Sequence, residues 1–261
     1  MKLEFLGTGA ANFNIERDQH TEGFRRFSSC LLNDELMIDP GPHFFHYMET
    51  FNKPHLLKDL KYVIITHSHG DHFSRENTTK LHELFPDCQF FGSVRVGTVF
   101  EQLGIPYTPI LPFEENEIGG YKITSMPSSH CGDFVDEITY HYSIVDKDGK
   151  KFFYGADGGL FPEYTWRYIN KYAYDLFVME LTIGDHPDAP HLCSHMTIPT
   201  MRLLLNTTLN TKYGYKPVAD NGKFLVTHLA KAPWHEDHAT LTEQLRPLGI
   251  TPAYDGLIVE I

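Results

Sequence analysis

Residues 62–72 have the sequence YVIITHSHGDH, in which an apolar strand runs directly into a short loop with three histidines and one aspartate. His67 and His69 are two residues apart, so an extended backbone turns both side chains to the same side. Asp71 and His72 follow where the chain turns toward a helix. In α/β proteins, ligands and catalytic groups gather at this end of a buried strand. The loop therefore predicts a site that serves two neighbouring metal ions.

The same pattern, an apolar strand that ends in a metal-binding type of side chain, occurs three more times. KITSMPSSH ends at His130, KFFYGAD ends at Asp157 and KFLVTH ends at His228. Each of these residues alone is more typical of a hydrogen-bonded turn. Their occurrence together, behind the histidine loop, predicts that they share one site with it.

The composition is that of a folded chain with a small substrate. The 261 residues, of which 41% are hydrophobic, are enough to bury a core, and no linker or repeat divides them, so we expect one domain over residues 1–261. The net charge of -12 argues against nucleic acid as a partner, because such binding uses Lys and Arg to neutralise phosphates. Sixteen histidines are a rich supply of neutral nitrogen ligands.

The location and assembly of the protein are expectations. No stretch approaches the roughly 18 apolar residues of a membrane span, and MKLEFLGTGA lacks the order of a signal peptide, so we expect a soluble, cytoplasmic protein with no membrane partner. A homodimer is a common state of soluble enzymes and stays open. No CxxC pair is present, and reduced thiols are expected at Cys30, Cys88, Cys131 and Cys193.

Short apolar runs predict strands throughout the chain: KLEFLG, SSCLLN, ELMID, YVIITH, QFFG, YKITSM, ITYHYSIV, KFFYGAD, DLFVMEL, KFLVTH and GLIVEI. Helical spacing or helix-entry signals occur between them, near residues 42–51, 74–84, 94–103, 161–170, 198–209 and 236–245. VDKDGKKF predicts a hairpin turn at Asp148 and Gly149. The mixture predicts an α/β fold, an αββα sandwich, although periodicity alone leaves other mixed α/β folds open.

The HxHxDH signature resembles the hallmark of the metallo-β-lactamase superfamily, and further residues follow in that family's order over nearly the whole chain. The resemblance implies one metal held by His67, His69 and His130. It implies a second metal held by Asp71, His72 and His228, with Asp157 bridging the two. Asp39, in LMIDPGP, would orient a metal-bound imidazole, or would only form an Asp-Pro-Gly turn.

The implied cofactors are two divalent metal ions, with zinc as first choice, manganese as second, and iron also compatible with imidazole and carboxylate ligands. Such a pair lowers the pKa of a bridging water and supplies a hydroxide nucleophile at neutral pH, which is hydrolysis. The redox di-iron branch of the family usually has Glu where this chain has His69, and it carries a flavodoxin domain for which this chain has no room. We therefore predict a hydrolase, with Asp71 in its catalytic centre.

The bridging Asp157 and the opening LEFLGTGAA look like the phosphodiesterase branch, which includes ribonuclease Z and the phosphoribosyl cyclic phosphodiesterase group. In that branch a histidine ahead of a helix assists catalysis without binding metal. The resemblance assigns this role, as general acid or as a cation beside the phosphorane, to His195, and Glu180 is a candidate to orient it. His186 and His191 are neighbouring alternatives.

The interval between His130 and Asp157 has room for one strand pair and not for the basic arm with which ribonuclease Z grips transfer RNA. We therefore expect a small cyclic or nucleotide-like phosphodiester, as in the phosphoribosyl cyclic phosphodiesterase group. The opening loop has no cysteine, so the extra structural zinc of some members is expected to be absent. Substrate contacts are candidates in the loop 7–23, through Asn12, Asn14, Arg17 or His20, and at Trp234. Gly7 and Gly9 either support such contacts or serve a tight turn.

Three alternatives remain open at this point. The site is also compatible with a thioester or lactone hydrolase and with a ribonuclease Z-like RNA endonuclease. A non-catalytic metal-binding protein that retains the fold is a third alternative, because a fold does not establish a function.

Overall fold

Within the part of the chain that the structure describes, short stretches form fourteen strands in two seven-stranded sheets. The computed structural model describes residues 1–186, 194–207 and 209–261. The first sheet contains β1 (Lys2–Gly7), β2 (Ser29–Leu32), β3 (Leu36–Ile38), β4 (Tyr62–Ile64), β5 (Gln89–Gly92), β6 (Tyr107–Pro109) and β14 (Ile258–Glu260). Its order is β14-β1-β2-β3-β4-β5-β6, and the pairs from β3 to β6 are parallel. The parallel part brings the carboxyl ends of β3 and β4 to one edge.

The second sheet contains β7 (Glu115–Ile118), β8 (Tyr121–Pro127), β9 (Tyr140–Val145), β10 (Lys151–Gly155), β11 (Tyr174–Glu180), β12 (Val218–Thr227) and β13 (Thr251–Pro252). Its order is β13-β12-β11-β10-β9-β8-β7. The pairs from β7 to β10 are antiparallel and those from β10 to β13 are parallel. The predicted hairpin is confirmed, because Val145 pairs with Lys151 and Gly149 turns the chain at a φ of 77°.

Each segment predicted to be helical contains a helix. The helices are α1 (Ile15–Asp18), α2 (Phe44–Thr50), α3 (Arg75–Leu84), α4 (Val94–Leu103), α5 (Glu163–Ile169), α6 (Ile198–Asn206) and α7 (His238–Leu245), with 3-10 turns at Thr211–Tyr213 and Arg246–Leu248. Side-chain caps begin the longer ones: Ser74 accepts from Asn77 N, and Thr197 forms a capping box with Thr200. The four-residue α1 has too little periodicity to be predicted.

Three buried apolar clusters lie in three layers. The central cluster joins the facing sides of the sheets, for example Phe5 and Ile38 with Tyr142 and Phe152. A second cluster lies between the second sheet and α5, α6 and α7, and a third lies between the first sheet and α2, α3 and α4. Helices therefore cover the outer faces of two packed sheets, and the predicted αββα sandwich is confirmed. No helix among the described residues is both long enough and apolar enough to cross a membrane.

The ends of β3 and β12 have a left-handed backbone without glycine. Asp39, directly after β3, has a φ of 57°, and His228, directly after β12, has a φ of 55°. This conformation costs about 1 kcal/mol or more for a residue with a Cβ, so surrounding contacts must maintain it. Both residues belong to the cluster described next.

Gly7 and Gly9 allow a close approach of two backbones and do not form a tight turn. A Cβ on Gly7 would lie 1.9 Å from the carbonyl oxygen of Phe27, and one on Gly9 would lie 2.8 Å from Cβ of Arg25. Neither glycine has a positive φ. The segment 25–27 can therefore pack directly on the end of β1, which fixes the position of Phe27.

Candidate metal centre

Four side chains direct one atom each toward a common point at the strand ends. Nε2 of His67 lies 3.1 Å from Nδ1 of His69, and Nε2 of His130 lies 3.2 Å from that same Nδ1. Oδ2 of Asp157 lies 3.8 Å from Nε2 of both His67 and His130. Tetrahedral zinc with bonds of about 2.0–2.1 Å holds its ligand atoms roughly 3.3–3.4 Å apart. The observed spacing therefore fits a single ion.

A second group lies beside the first. Nε2 of His228 is 3.2 Å from Oδ2 of Asp71, and Nε2 of His72 is 3.6 Å from the same oxygen. Oδ1 of Asp157 lies 3.2 Å from Nε2 of His72 and 3.4 Å from Nε2 of His228. Asp157 thus turns one carboxylate oxygen to each group, which is the arrangement of a carboxylate shared by two cations.

The positions of these donor atoms are explained better by bound cations than by hydrogen bonds between the donors themselves. Nε2 of His72 and Oδ1 of Asp157 are buried and make no hydrogen bond to described residues. Burial alone would lower the pKa of His72, but the carboxylates of Asp157 and Asp71 raise this pKa well above its ordinary value. The carboxylate oxygens around His72 therefore favour a positive charge, which a divalent cation supplies.

Two other imidazoles of the cluster, those of His67 and His130, are held neutral, as metal ligands must be. Burial, then the charge of His72, lowers the pKa of His67 well below its ordinary value. Burial likewise lowers the pKa of His130. A neutral imidazole leaves a ring nitrogen available as a ligand. The His/Asp cluster is thus consistent with a dinuclear metal site.

Hydrogen bonds on the far ring nitrogens orient these imidazoles. Nδ1 of His72 lies 2.8 Å from Oδ2 of Asp39, whose carboxylate also accepts from the backbone N–H and the hydroxyl of Thr66. Nδ1 of His228 lies 2.7 Å from the hydroxyl of Thr182, and Nδ1 of His130 donates to the carbonyl oxygen of Ser194 at 3.0 Å. Such contacts fix the ring orientation of metal ligands. Asp39 therefore orients an imidazole, as predicted, in addition to forming its turn.

The histidine loop is also anchored from the opposite sheet. The carboxylate of Glu137 is buried and accepts the backbone N–H of Ser68 at 2.7 Å, together with a short hydrogen bond from the Ser68 hydroxyl. Burial raises the pKa of Glu137, and the bonds from Ser68 oppose this rise. Since Ser68 lies between His67 and His69, Glu137 holds the backbone that presents both.

His195 lies beside the predicted metal ligands, and Glu180 holds its ring. Its Nδ1 is 3.1 Å from Oε1 of Glu180, and it lies in one cluster with Asp157 and His228. Burial alone would lower the pKa of His195, but the Glu180 carboxylate raises it to about 9. Thr182 donates to the other carboxylate oxygen, at 2.7 Å, and so links the Glu180 carboxylate to His228. The predicted pairing of Glu180 with His195 is present.

A cavity of about 570 Å³ opens over these residues. Its remaining walls are small, apolar or aromatic, and they consist of Ala10, Ala11, Asn12, Phe27, Gly70, Thr182, Ile183, Ala230 and Trp234. A cavity of this volume accepts a small-molecule substrate. The cavity is also lined by His195 and by the predicted ligands other than His67 and His72. Those two histidines lie deeper.

Of the candidate substrate contacts in the opening loop, the structure places one at the cavity. Asn12 lines the cavity, but Asn14 caps α1 and Arg17 forms an ion pair with Asp18, so both serve the loop itself. His20 is not among the cavity residues. Trp234 does line the cavity, and the helix cap of α7 comes from Asp237 nearby.

Of the two alternatives to His195, His186 donates from Nε2 to the carbonyl oxygen of Pro233, away from the metal-type ligands. His191 and Cys193 lie outside the described residues. The thiols of Cys30, Cys88 and Cys131 are free, as predicted.

Three residues at the site belong to no sequence motif. Thr182 and Glu137 are ordinary polar residues with no motif around them, and only contacts between distant segments bring them to His228 and to the histidine loop. Phe27 is apolar, and the sequence does not distinguish it from a residue of the core. The one hint for Thr182 was that it is a polar residue two positions after the end of β11.

Comparison with known proteins agrees with this architecture. Residues 35–209 match the model of the beta-lactamase superfamily domain. A search of curated proteins finds no match. The metallo-beta-lactamase fold protein YhfI from Bacillus subtilis is 17% identical with a TM-score of 0.73, and the match covers 100% of this chain and 99% of that one.

Two further solved structures are similar over the whole chain. Zn(2+)-bound PqqB from Methylobacterium extorquens has a TM-score of 0.73 and 17% identity, with 100% of each chain covered. A diphosphatase from the PhnP family has a TM-score of 0.71 and 17% identity, with 100% of this chain and 96% of that chain covered. At such identity these likenesses show the fold.

Proposed function

Since this chain belongs to the metallo-β-lactamase superfamily and is a metal-dependent hydrolase of that fold, we propose that it cleaves small cyclic or nucleotide-like phosphodiesters. One juxtaposition carries the proposal. A carboxylate shared by two ligand groups, Asp157, lies in one cluster with His195, a histidine that Glu180 keeps protonated. A phosphodiester needs both features, because negative charge builds on its non-bridging oxygens and on its leaving oxygen at the same time.

In this proposal His67, His69 and His130 hold one divalent cation, while Asp71, His72 and His228 hold the second. Asp157 is shared between them. When bound, such a pair lowers the pKa of water and clamps phosphoryl oxygens during in-line displacement. Zinc is our first candidate, and the zinc-bound PqqB structure with the same fold supports it. The diphosphatase with the same fold supports a phosphorus-centred reaction.

His195 acts as the general acid. As water attacks phosphorus, the bond from phosphorus to the leaving oxygen breaks, and Nε2 of His195 gives its proton to that oxygen. Nδ1 of the same ring faces Glu180, which stabilises the imidazolium before the transfer and fixes its direction. The products are an alcohol and a phosphomonoester, which for a cyclic substrate are one molecule.

The test is an assay of the metal-loaded protein on bis(p-nitrophenyl) phosphate and on a cyclic phosphodiester, alongside elemental analysis. We expect about two metals per chain. Asp157→Ala removes a shared ligand and should abolish activity, while Asp220→Ala, an exposed aspartate whose side chain is 84% accessible, should leave it unchanged.

His195→Ala should lower kcat by about 10²- to 10⁴-fold on an alkyl phosphodiester and should leave the metal content unchanged. The loss should be smaller with p-nitrophenol, which leaves readily without a proton. Two metals per chain with turnover of thioesters or lactones, and with no phosphodiester cleaved, would replace the proposal by the ester hydrolase.

A further inference from the structure

The cavity above the metal-type ligands is poor in cations for an enzyme of phosphate chemistry. The described residues that line it include no lysine or arginine, and the one basic side chain among them outside the predicted ligands is His195. Residues 187–193 contain no lysine or arginine, so they add none. The remaining surface is apolar or neutral, including Ala10, Ile183 and Ala230.

Two aromatic side chains form part of this neutral wall, and each is braced from behind. Phe27 stacks on His43, with ring centroids 4.2 Å apart, and its backbone N–H donates to Nδ1 of His43. Burial, then the nearby charges of His46 and Arg26, lowers the pKa of His43 to about 4, so the supporting ring is neutral. Phe27 is thus a fixed apolar surface.

Trp234 is braced in a similar way. Its ring meets His186 edge to face, with centroids 5.6 Å apart. Its carbonyl oxygen accepts the N–H of Gly184 at 2.8 Å, and a Cβ on Gly184 would lie 2.7 Å from that oxygen. The absence of a side chain at Gly184 therefore allows the tryptophan segment to lie against the cavity. Rigid aromatic walls bind planar or apolar groups at small entropic cost.

The space next to the cavity repels additional negative charge. A second cavity of about 610 Å³ adjoins it at Ala230. Its charged lining consists of the carboxylates Asp18, Glu22, Glu236 and Asp237 and the cations Arg25 and Lys231. Both cations are engaged, because Nζ of Lys231 lies 2.7 Å from Oδ2 of Asp18, and Arg25 donates to Thr8 and to the carbonyl oxygen of Ala253. A second phosphate would meet no unengaged cation there.

We infer that the substrate is a phosphodiester with a single negative charge whose non-leaving substituent is apolar or planar and lies against Phe27 and Trp234. Substrates that carry a further phosphate group are rejected. This inference rests on the proposed function for the reaction, but the recognition surface is independent of it. The metal centre and His195 balance the negative charge of the reacting phosphate. No cation balances a charge on the rest of the substrate.

The experiment compares four p-nitrophenyl phosphodiesters that share a leaving group and differ in the second substituent: methyl, phenyl, thymidine, and thymidine bearing a 3′-phosphate. We expect kcat/KM for the phenyl and thymidine esters to exceed that for the methyl ester by about tenfold, mainly through KM. The added phosphate should lower kcat/KM by about a hundredfold, because a dianion would lose water without gaining a partner. Equal values for phenyl and methyl esters, or unimpaired turnover of the 3′-phosphate, would overturn the inference.

Variants locate the preference. Trp234→Ala should lower kcat/KM for the phenyl ester several-fold more than kcat/KM for the methyl ester, and Trp234→Phe should restore much of the preference. Phe27→Leu should act in the same direction. Tyr164→Ala, which removes an exposed aromatic ring outside the cavity, is the matched control and should keep the full preference.

Calorimetry separates this inference from the proposed reaction. Diphenyl phosphate and dimethyl phosphate are titrated into the metal-loaded protein, without reference to turnover. If no phosphodiester is cleaved but diphenyl phosphate binds about tenfold more tightly, the reaction is wrong and the recognition surface stands. If both bind equally, the recognition surface is wrong even when cleavage is observed.

Discussion

Nδ1 of His195 lies 3.1 Å from Oε1 of Glu180, and each group stabilises the charged form of the other. Against the effect of burial, Glu180 raises the pKa of His195 to about 9, and His195 lowers the pKa of Glu180. The general acid is the protonated imidazole, so activity should persist at neutral pH and fall as the pH rises through about 9. Removal of the carboxylate should move this basic limb to lower pH.

Glu180→Gln tests this relationship through the pH profile of kcat. The neutral amide cannot favour the imidazolium, so activity should fall more at about pH 8 than at about pH 6, while the metal content is retained. Glu163→Gln, on the exposed face of α5, is the control and should leave the profile in place. An unshifted basic limb in Glu180→Gln would show that another group limits activity at high pH.

Asp39→Asn should weaken metal binding without removing a ligand. Nδ1 of His72 needs an acceptor, and the Asp39 carboxylate at 2.8 Å provides it. The amide has the same shape but accepts less strongly, so affinity for one of the two metals should fall about 10- to 100-fold. Competition with a chromophoric chelator measures this affinity, and circular dichroism checks the fold. Unchanged affinity of both metals would mean that Asp39 serves only its turn.

Chelation of the metals should destabilise the protein reversibly. The site buries Asp71 and Asp157 among histidines, and two of the buried donor atoms have no hydrogen-bond partner among the described residues. Each ion, present at a concentration about a thousandfold above its Kd, contributes about 4 kcal/mol, which corresponds to roughly 10 °C in Tm per ion. Calorimetry before and after addition of a chelator, and again after zinc is restored, measures the change. A Tm that is indifferent to the chelator would argue against metal binding by this cluster.

Gly7→Ala should destabilise the fold by about 2 kcal/mol or more, because its Cβ would meet the carbonyl oxygen of Phe27. Gly70→Ala is the matched control, since a Cβ there would meet nothing within 4 Å. Urea denaturation of both variants gives the free energies of unfolding. Similar stability of the two would show that the packing of residues 25–27 on β1 relaxes at little cost.

The sequence predicted those parts of the site that follow a strong local pattern. A buried strand must leave the sheet at a defined edge, so ligand-type residues directly after β4, β8, β10 and β12 could be placed together. His195 was found from its position ahead of the capped helix α6 and from the family's order. These signals depend on spacing within one segment and on the sequential arrangement of segments.

What could not be predicted depends on contacts between distant segments. Thr182 reaches His228 because β11 and β12 are neighbours in the second sheet, and Glu137 and Phe27 reach the site through packing of segments that are distant in the sequence. Nothing next to these three residues in the sequence differs from an ordinary turn or core. The strands β6, β7 and β13 were missed because they are short and contain proline or charged residues, and their neighbours in the sheet define them.

The ligand groups combine residues from both sheets. In a chain that grows from its amino terminus, the order of synthesis therefore determines when each group can be completed. His67, His69, Asp71 and His72 are made first, but the first group is complete only once Asp157 has left the ribosome. The second group must wait for His228, which is made after all the other ligands. A nascent chain therefore cannot capture both ions before His228 has emerged, so metal uptake would report that the ligand-bearing segments of both sheets have been made and have docked.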